Sequence, residues 1–485
     1  MIDLRNFIDQ IETMEELKRL NGLHWDKEMG AFMEIVYRTA TPGTAPALLF
    51  DRIPGYPEGY RCLYGMLASP RRLGLTMGLD IKENPTRLSL LQEFRQRSSN
   101  IAPIPPRDVD NGPILENVDS GAEIDLEKFP VPIHHELDGG RYIGTADAVI
   151  TRDPDEGWVN LGTYRVQMVS KSQVTCYISP NKDGRRQVDK YLARREVCPI
   201  VIVAGLDPVL WLVSRYQVPW GVGELDYAGG IVGEPIEVIK GDYTGLPFPA
   251  QAEIVLEGEL SPTEKVLEGP FGEWPGYYAG ASKEQPVIDV KRVYYRNNPI
   301  LTCAASQRPP HAHLFERSFI RSAGLWDMLE RAGCPGIKGV WVHEAGSGRT
   351  FNAISIRQEF YGHSRQAGLI ASQVPPAGYA NRFTIVVDDD IDPSNLYEVI
   401  WAMGTRCDPQ QDIDILRKNW SSRLDPLVFG DQLYNSRAII DACIPYEHRD
   451  DFPKVVQTSA EYRQVMMDKF GGLLKEVLGD RAMGI

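Results

Sequence analysis

The chain has 485 residues, 43% of them hydrophobic and 24% charged, and a formal net charge of −14. This length predicts two or three domains with separate cores. The acidic balance argues against a general nucleic-acid-binding protein, which usually carries a basic face, but leaves room for a local basic pocket.

The seven cysteines form no C-x-x-C pair. This pattern argues against a disulfide scaffold or a structural zinc site and fits a reducing compartment. The N-terminal residues lack a signal-peptide pattern, and no uninterrupted apolar stretch approaches the about 20 residues of a membrane span. We therefore expect a cytoplasmic protein without a membrane anchor.

The first part of the chain reads as helix followed by irregular structure. Residues 2–20 predict an amphipathic helix, because apolar residues recur there at spacings of three and four. Residues 101–135 contain six prolines and predict an extended connector between domains.

A β pattern begins near residue 140 and continues to about residue 305. Residues 146–150, 164–169 and 252–257 are short, rich in β-branched residues and bounded by turn formers. They predict a β-rich central domain with a barrel-like sheet.

Beyond residue 310, helix and strand patterns alternate. Residues 315–332 and 395–403 predict helices, whereas 339–342 and 383–387 predict strands, which together indicate an α/β domain. Residues 460–478 predict a helix with an apolar stripe that packs either on another subunit or on its own domain. We therefore expect an N-terminal α/β segment (1–110), a central β-rich domain (111–310), a C-terminal α/β domain (311–455) and a terminal helix (456–485).

Residues 267–273 hold two glutamates, Glu268 and Glu273, around a Gly-Pro-Phe-Gly sequence. Proline and glycine exclude a helix interior, so this segment is predicted to be a rigid turn. Paired carboxylates on such a turn favour one proton donor and one charged partner in a single site. The alternative is a surface turn with two solvated glutamates.

Asn160, Asp183 and Glu224 are hard oxygen donors in predicted loops. Together they suit Mg²⁺ or Mn²⁺, and an ion held by few carboxylates commonly bridges to a phosphate. Individually, each fits a turn former or cap better than a metal ligand. No Walker A or G-x-S-x-G sequence is present, and the glycines at 221–230 lack a Rossmann context. His311 or His313 is either a substrate contact or a solvated loop histidine.

Several ordered motifs together resemble the UbiD family of prenylated-FMN-dependent decarboxylases over nearly the whole chain. These motifs are residues 138–142, 160–165, 177–185, Glu224 with its trailing glycines, and residues 268–273, 294–300, 386–393, 405–407 and 420–426. Residues 178–180 and 420–426 are most similar to the branch with hydroxybenzoate-type decarboxylases. The resemblance implies that the central domain binds the flavin and that residues 456–485 take part in a homodimer or homohexamer.

The resemblance also implies roles for individual residues. The implied catalytic residues are Arg165, Glu268 and Glu273; the cofactor-binding residues are Asn160, Tyr164, Arg165, Ser179, Pro180, Lys182, Gly223, Glu224 and Arg382; the metal ligands are Asn160, Asp183 and Glu224; and the substrate-pocket residues are Arg308, His311, Phe429 and Leu433. The implied cofactors are prenylated FMN, Mn²⁺ or Mg²⁺, and K⁺. Asp183 stands where the family has a histidine, and Arg382 stands near a family lysine.

The implied reaction is the reversible, non-oxidative decarboxylation of an aromatic, heteroaromatic or α,β-unsaturated acid. Its partners are that acid, CO₂ and a flavin prenyltransferase that supplies the cofactor. We expect Glu273 to donate the proton, Glu268 to stay ionised, and Arg165 to bind the substrate carboxylate or orient Glu268. The alternative is a relative that uses plain FMN, or a non-catalytic subunit, because of Asp183. The intact Arg165, Glu268 and Glu273 argue against the non-catalytic alternative.

Overall fold

The computed structural model of the chain describes residues 3–81, 86–98, 101–180, 182–216, 218, 222–430 and 432–478. Residues 181 and 219–221 of the predicted polar loops, and residues 479–485 of the terminal segment, lie outside this range. The chain forms two compact units: the first is Met1–Gly78, Gln96–Ile320 and Ser422–Gln432, and the second is Leu79–Arg95, Arg321–Ser421 and Leu433–Ile485. Among the described residues, no helix has the length and apolar character needed to cross a bilayer.

The described residues form strands throughout the chain. In chain order these are β1 (Leu17–Asn21), β2 (Ala47–Asp51), β3 (Arg61–Tyr64), β4 (Arg107–Asp108), β5 (Asn117–Ser120), β6 (Tyr142–Gly144), β7 (Asp147–Arg152), β8 (Val159–Gly162), β9 (Arg165–Met168), β10 (Gln173–Tyr177), β11 (Cys198–Ala204), β12 (Glu237–Lys240), β13 (Pro247–Pro249), β14 (Ile254–Glu268), β15 (Lys283–Tyr295), β16 (Ile300–Cys303), β17 (Ile337–Val342), β18 (Phe351–Ile356), β19 (Phe383–Asp388), β20 (Ile413–Trp420) and β21 (Tyr434–Ala442).

The α-helices follow the same order along the chain. They are α1 (Leu4–Thr13), α2 (Glu28–Thr39), α3 (Pro70–Thr76), α4 (Arg87–Ser98), α5 (Asp183–Arg194), α6 (Pro208–Val213), α7 (Glu224–Val232), α8 (Phe315–Arg331), α9 (His363–Gln373), α10 (Pro375–Gly378), α11 (Leu396–Arg406) and α12 (Ala460–Leu478).

The N-terminal helix is shorter than its apolar spacing predicts. Helix α1 begins at the cap Asp3, whose side chain accepts from the Asn6 amide, and ends at Thr13. Glu15 has a φ of 61°, which turns the chain out of the helix. Leu17 then lies in β1, where it pairs with Ala47 of the parallel strand β2. The prediction of one helix over 2–20 was therefore wrong in its second half, because Leu17 fits both the helical spacing and a buried strand position.

A nine-stranded sheet dominates the first unit. Its path runs β6-β9-β10-β15-β14-β11-β7-β8, and β5 pairs with β15 beside this path. The segment 101–135 is not the purely extended connector between domains that its prolines predict. It lies within the first unit, where it forms three short 3₁₀ turns (Pro113–Glu116, Gly121–Glu123 and Leu126–Lys128), and its strands β4 and β5 extend sheets of this unit. Two smaller sheets, β1-β2-β3-β16 and β13-β12-β4, complete the unit.

The large sheet curls into a half-barrel and does not close. Its terminal strands β6 and β8 are not paired with each other in the described chain, so the sheet has the predicted barrel-like curl but is open. A register shift between Glu257 and Gly258 in the long β14–β15 hairpin adds local twist, as bulges do.

Helix termini cover the free edge of β8 in place of another strand. The Leu161 amide donates to Glu224 Oε2 at 3.0 Å, and the Thr163 amide donates to the Ser214 carbonyl at 3.1 Å. Glu224 begins α7, and Ser214 caps the end of α6. An exposed edge strand is open to unwanted pairing, so this capping both ends the sheet and fixes Glu224 against β8.

The second unit packs helices on a sheet of its own. Its five-stranded sheet has the order β17-β18-β19-β21-β20, with parallel pairs β18–β19 and β19–β21. A Cβ at Gly368 of α9 would lie 2.4 Å from Ile439, whereas Val399 of α11 belongs to a core cluster with Ile440. Neighbouring strand residues point to opposite faces, so the two helices cover both sides of the sheet.

The terminal helix α12 has the bounds that the sequence predicts. Most of its apolar side chains are nonetheless exposed in the single chain, namely Tyr462, Val465, Met466, Phe470, Leu473 and Val477. In the structure, this stripe is therefore exposed and does not dock on its own domain.

Candidate active site

Arg165 lies between the two glutamates of the 267–273 segment. At the start of β9, its Nε donates to Glu268 Oε1 at 2.7 Å and one Nη donates to Glu268 Oε2 at 2.9 Å. The other Nη donates to Glu273 Oε1. The guanidinium thus binds one carboxylate with two parallel bonds and the second with one, which fixes the relative position of all three groups.

Backbone contacts hold the glutamate turn in place. Strand β14 ends at Glu268, and Gly269 follows with a φ of 88°, a left-handed conformation that favours glycine. The Gly139 amide donates to the Pro270 carbonyl at 2.7 Å, and the Glu273 amide donates to the Tyr277 carbonyl at 3.0 Å. The turn therefore brings the two carboxylates to one guanidinium and does not leave them solvated.

Two residues without a predicted role, Gln167 and Tyr142, contact this cluster. The Gln167 amide oxygen accepts from the Gly269 amide at 3.0 Å, and the Tyr142 hydroxyl donates to Glu268 Oε1 at 3.2 Å. Gln167 follows Arg165 by two positions, so both side chains point to the same face of β9. Tyr142 is the register partner of Gln167 on β6. The two-residue alternation of side chains along β9 was the signal that could have identified Gln167 as a neighbour of Arg165.

Aromatic rings flank the guanidinium. The centre of Arg165 lies 4.6 Å from the Tyr177 ring centroid and 5.7 Å from that of Phe271. The Phe271 ring in turn packs 4.2 Å from the Tyr142 ring. These contacts exclude water from one side of the ion pairs and strengthen their electrostatic interaction.

The pKa values of Glu273 and Arg165 differ from those of solvated groups. Burial raises the pKa of Glu273 above its ordinary value, although the charge and hydrogen bond of Arg165 oppose this shift. Burial lowers the pKa of Arg165, but the hydrogen bond to Glu268 and the charges of both glutamates outweigh it and leave the pKa raised. Arg165 therefore stays a cation, and Glu273 keeps a proton to higher pH than a solvated glutamate.

The three predicted metal ligands come together at the covered edge of β8. Asn160 is buried on β8, Glu224 opens α7, and Asp183 opens α5. Burial raises the pKa of Glu224 to about 7, and the negative charge of Asp183 contributes to that rise. Asp183 is more exposed than the other two, and its carboxylate also lies 3.4 Å from Arg186.

The residues at this edge fit a metal-bridged phosphate. The Asn160 side-chain nitrogen is buried without a hydrogen-bond partner, so this amide can donate to a phosphate or turn its oxygen to a cation. A Cβ at Gly184 would lie 3.2 Å from that nitrogen and 3.0 Å from the Tyr164 hydroxyl, so the backbone there approaches closely. Two carboxylates and one amide are the hard donors that Mg²⁺ and Mn²⁺ prefer.

The remaining predicted residues are distributed over both units. Lys182 and Gly223 precede α5 and α7, and Ser179 and Pro180 lie in the turn after β10. Arg308 and Phe429 are exposed residues of the first unit and His311 is buried there, whereas Arg382 and Leu433 belong to the second unit.

Replacing Gly139 with alanine should disturb the site without touching a charged group. A Cβ at Gly139 would lie 2.0 Å from the Gly269 carbonyl oxygen, so the turn that carries both glutamates must move. A displacement near 1 Å at a reacting group costs about 10²-fold in rate, and we expect a loss of that order in kcat. Steady-state kinetics of the variant would measure the loss.

Gly280 is the matched control for this substitution. A Cβ there meets no heavy atom within 4 Å, so Gly280→Ala should keep wild-type kcat. Equal rates for Gly139→Ala and the wild type would show that the turn tolerates the displacement and that its position does not limit turnover.

Comparisons with known proteins identify the family of the chain. Residues 8–91, 107–309 and 316–442 match the N-terminal, Rift-related and C-terminal domains of 3-octaprenyl-4-hydroxybenzoate carboxy-lyase (UbiD). The chain is 32% identical to the pyrrole-2-carboxylic acid decarboxylase of Pseudomonas aeruginosa over 425 residues, which is 85% of this chain and 84% of that protein.

Two solved structures are similar over nearly their whole length. Vanillic acid decarboxylase of Sedimentibacter hydroxybenzoicus (ShVdcCD, open form with truncated ShVdcD) gives a TM-score of 0.86 at 27% identity, covering 98% of this chain and 99% of that chain. An evolved dimeric form of the UbiD-class enzyme HmfF from Pelotomaculum thermopropionicum, in complex with prFMN, gives 0.81 at 27% identity, covering 95% and 98%.

The family models and the named relatives thus define a decarboxylase of the carboxy-lyase class. The chain belongs to the UbiD family, as the sequence motifs predict.

Proposed function

We propose that this protein catalyses the reversible, non-oxidative decarboxylation of an aromatic, heteroaromatic or α,β-unsaturated acid with prenylated FMN. The observation that carries the proposal is the Arg165–Glu268–Glu273 cluster, in which one buried guanidinium holds two carboxylates. The HmfF structure with prFMN and the named decarboxylases among the relatives support the cofactor and reaction class.

Arg165 acts in this proposal as a positioning residue. Its Nε and one Nη are engaged by Glu268, and its other Nη contacts Glu273. This occupancy favours orientation of the glutamates over direct capture of the substrate carboxylate. Tyr142 adds a third constraint on Glu268 through its hydroxyl.

Glu273 is the proposed proton donor. Its side chain is 11% exposed, and its pKa is raised by burial, so its carboxyl can hold a proton for transfer. The proton passes from a Glu273 oxygen to the substrate carbon that has lost CO₂. Glu268, with 1% of its side chain exposed, stays bound to Arg165 throughout.

Loss of CO₂ leaves an electron pair that side chains cannot stabilise, and prenylated FMN supplies that electron sink when bound. Asn160, Asp183 and Glu224 would hold its phosphate through Mn²⁺ or Mg²⁺, with K⁺ nearby. Tyr164, Ser179, Pro180, Lys182 and Gly223 of the first unit are the further proposed contacts of the cofactor.

Replacing Asp183 with alanine should lower the bound metal and the bound flavin together. The change removes one of two carboxylates that face the ion, leaving Glu224 and the Asn160 amide as ligands. We expect at least a tenfold weaker metal affinity, the order found for disturbed metal shells. Metal analysis and flavin absorbance of the purified variant would measure both losses. Asp189→Ala, a nearby exposed carboxylate on α5, is the control, and unchanged metal content in Asp183→Ala would exclude Asp183 as a ligand.

The exposed apolar stripe of α12 supports a homo-oligomer, either a dimer or a hexamer. A stripe of six large apolar side chains on one helix is unusual for an isolated chain. Analytical ultracentrifugation of the purified protein would give the number of chains.

The direct test of the proposed function is native mass spectrometry with metal analysis on protein co-expressed with a flavin prenyltransferase. Prenylated FMN and about one Mn²⁺ or Mg²⁺ per chain are expected from the single site. Plain FMN would indicate altered cofactor use through Asp183. Well-folded protein without flavin or metal would overturn the proposal.

A further inference from the structure

Asp138 is a buried carboxylate in the loop that leads into β6. Its side chain is 0% exposed, and its Oδ2 accepts from the amides of His134 at 3.2 Å and His135 at 2.9 Å. The amide of Asp138 itself donates to the His135 carbonyl at 3.1 Å. Local bonds of this kind between a side chain and the backbone fix the shape of a loop, here residues 134–138.

The second oxygen of Asp138 reaches the segment that follows Glu273. Oδ1 accepts from the Tyr278 hydroxyl at 3.0 Å. Burial and the charge of Asp138 raise the pKa of Tyr278, so the hydroxyl keeps the proton that it donates. The Glu273 amide donates to the Tyr277 carbonyl at 3.0 Å, and the Gly276 amide donates to the Glu273 carbonyl at 2.8 Å. The Asp138–Tyr278 hydrogen bond, called the clamp below, therefore holds the far end of the turn that begins at Glu273.

Gly139 holds the glutamate turn on the other side of Glu273. The Gly139 amide donates to the Pro270 carbonyl at 2.7 Å, and its carbonyl accepts from Gln167 Nε2 at 2.9 Å. The side-chain oxygen of Gln167 also accepts from the Gly269 amide at 3.0 Å. The loop therefore contacts the glutamate turn both before and after Glu273.

The groups that bind Asp138 suit a carboxylate. An ionised carboxylate only accepts hydrogen bonds, and Asp138 accepts from two amides and one hydroxyl. Burial raises the pKa of Asp138, and the bonds from His135, Tyr278 and His134 oppose that rise. An asparagine can keep both amide bonds through its oxygen and meet the hydroxyl with a weaker neutral bond, whereas an alanine loses all three.

We propose that Asp138 and Tyr278 are positioning residues that hold Glu273 at Arg165 during turnover. This inference rests on the proposed decarboxylase function and adds two residues to its site. Arg165 binds the carboxylate of Glu273, and the clamp holds the backbone segment that follows it. The proton donor is thus fixed at its side chain and at its backbone, and a displacement of about 1 Å at such a group costs about 10²-fold in rate.

Tyr278→Phe removes the clamp and keeps the aromatic ring. Turnover would be measured on flavin-loaded enzyme with 4-hydroxybenzoate, pyrrole-2-carboxylate and cinnamate as probes. We expect kcat per bound flavin to fall about tenfold with little change in KM, because the substitution moves the proton donor and leaves substrate binding intact. Tyr277→Phe is the matched control, since the Tyr277 side chain is 61% exposed, and it should keep the wild-type kcat.

Substitutions of Asp138 test the carboxylate. Asp138→Ala should lower kcat per bound flavin by about 10²-fold, and Asp138→Asn should restore most of it. A residue that only supported the fold would change the unfolding temperature and the flavin content, but not kcat per bound flavin. Glu136→Ala, at an exposed acid of the same loop, is the control. If Asp138→Ala does not fold, Asp138→Asn and Tyr278→Phe still decide the question.

Amide hydrogen exchange measures the clamp without the reaction. Mass spectrometry would compare the exchange of residues 272–280 in the wild type, Tyr278→Phe and Tyr277→Phe. We expect the Glu273 and Gly276 amides to exchange about tenfold faster in Tyr278→Phe only, because the turn that they close loses its bond to a charged group.

The outcomes separate this inference from the proposed function. Unchanged exchange in Tyr278→Phe, or the wild-type kcat per bound flavin in both Tyr278→Phe and Asp138→Ala, would overturn the inference and leave the decarboxylase function standing. A wild-type holoenzyme that turned over none of the probes would count against the function, and the exchange rates would still decide whether the clamp holds residues 273–277.

Discussion

Glu273→Gln is expected to reduce decarboxylation by about 10²–10⁴-fold, the range that a positioned proton donor contributes. Glutamine keeps the shape of the side chain and can still accept from the Arg165 Nη that now contacts Glu273, but it has no acidic proton. The fold and the bound flavin should therefore be retained. CO₂ release and flavin absorbance of the same preparation would separate loss of chemistry from loss of cofactor.

Glu264→Gln is the matched control, because Glu264 lies on the same strand, β14, and is exposed. It should keep wild-type turnover. Turnover by Glu273→Gln at the wild-type rate would exclude Glu273 as the donor and transfer that role to another group of the site.

The pH dependence of kcat follows from the direction of the Glu273 shift. Burial raises its pKa, so the protonated donor persists above the ordinary range of a glutamate, and kcat should fall as pH rises through that pKa. The same shift affects folding: the neutral carboxyl is favoured in the folded state, so its contribution to stability is complete below the unfolded pKa and is lost as pH rises through the folded pKa. A kcat that rises as pH increases through the pKa of Glu273 would show that the ionised form of Glu273 is the active one.

The ordered motifs identified the family because each corresponds to a local structure with its own sequence requirement. Gly269 with its left-handed φ and the proline at 270 form the turn that the sequence predicts, and β9, α8 and α12 lie within two residues of their predicted bounds. Local propensity and periodicity determine features of this kind.

The features that sequence alone missed depend on contacts between distant segments. At the open edge of the large sheet, the Leu161 amide of β8 donates to the Glu224 carboxylate, which is 63 positions away in sequence. The roles of Tyr142 and Gln167 depend on the register between β6 and β9. The burial of His311 and His313 likewise arises from packing around residues 306–313, whose proline-rich sequence resembles an ordinary exposed loop.

The fold also explains why the Arg165–Glu268–Glu273 cluster and the proposed metal site lie on one sheet. Strands β8 and β9 are separated by only two residues, Thr163 and Tyr164, yet lie on opposite end segments of the sheet path. Asn160 is on the first strand and Arg165 on the second, so one short stretch of chain carries a residue of the proposed metal site and a residue of the Arg165–Glu268–Glu273 cluster. A flavin has a phosphate at one end and a reactive ring at the other. The separation of Asn160 and Arg165 on the sheet suits a molecule of this kind.

Arg165→Met is expected to destabilise the protein by about 3–5 kcal/mol, because removing one partner of a buried ion pair leaves the other charge uncompensated. Glu268 is 1% exposed and would retain only the Tyr142 hydroxyl among the partners described above. Methionine preserves much of the apolar stem, so the loss reflects charge more than volume. Urea unfolding of the variant and the wild type would measure the change, and decarboxylation should be lost as well.

The double variant Arg165→Met/Glu268→Gln separates the two effects. Replacing the glutamate removes the unpaired charge, so most of the lost stability should return while activity stays absent, and the coupling between the two positions appears as non-additivity. Arg38→Met removes an i,i+4 pair with Glu34 whose side chains are 42% and 30% exposed, and such a pair contributes about 0.5 kcal/mol or less. Arg165→Met unfolding at the same urea concentration as Arg38→Met would show that the buried pair contributes no more than a surface pair. Recovered activity in the double variant would show that the Arg165–Glu268 pair serves stability and not the positioning of Glu273.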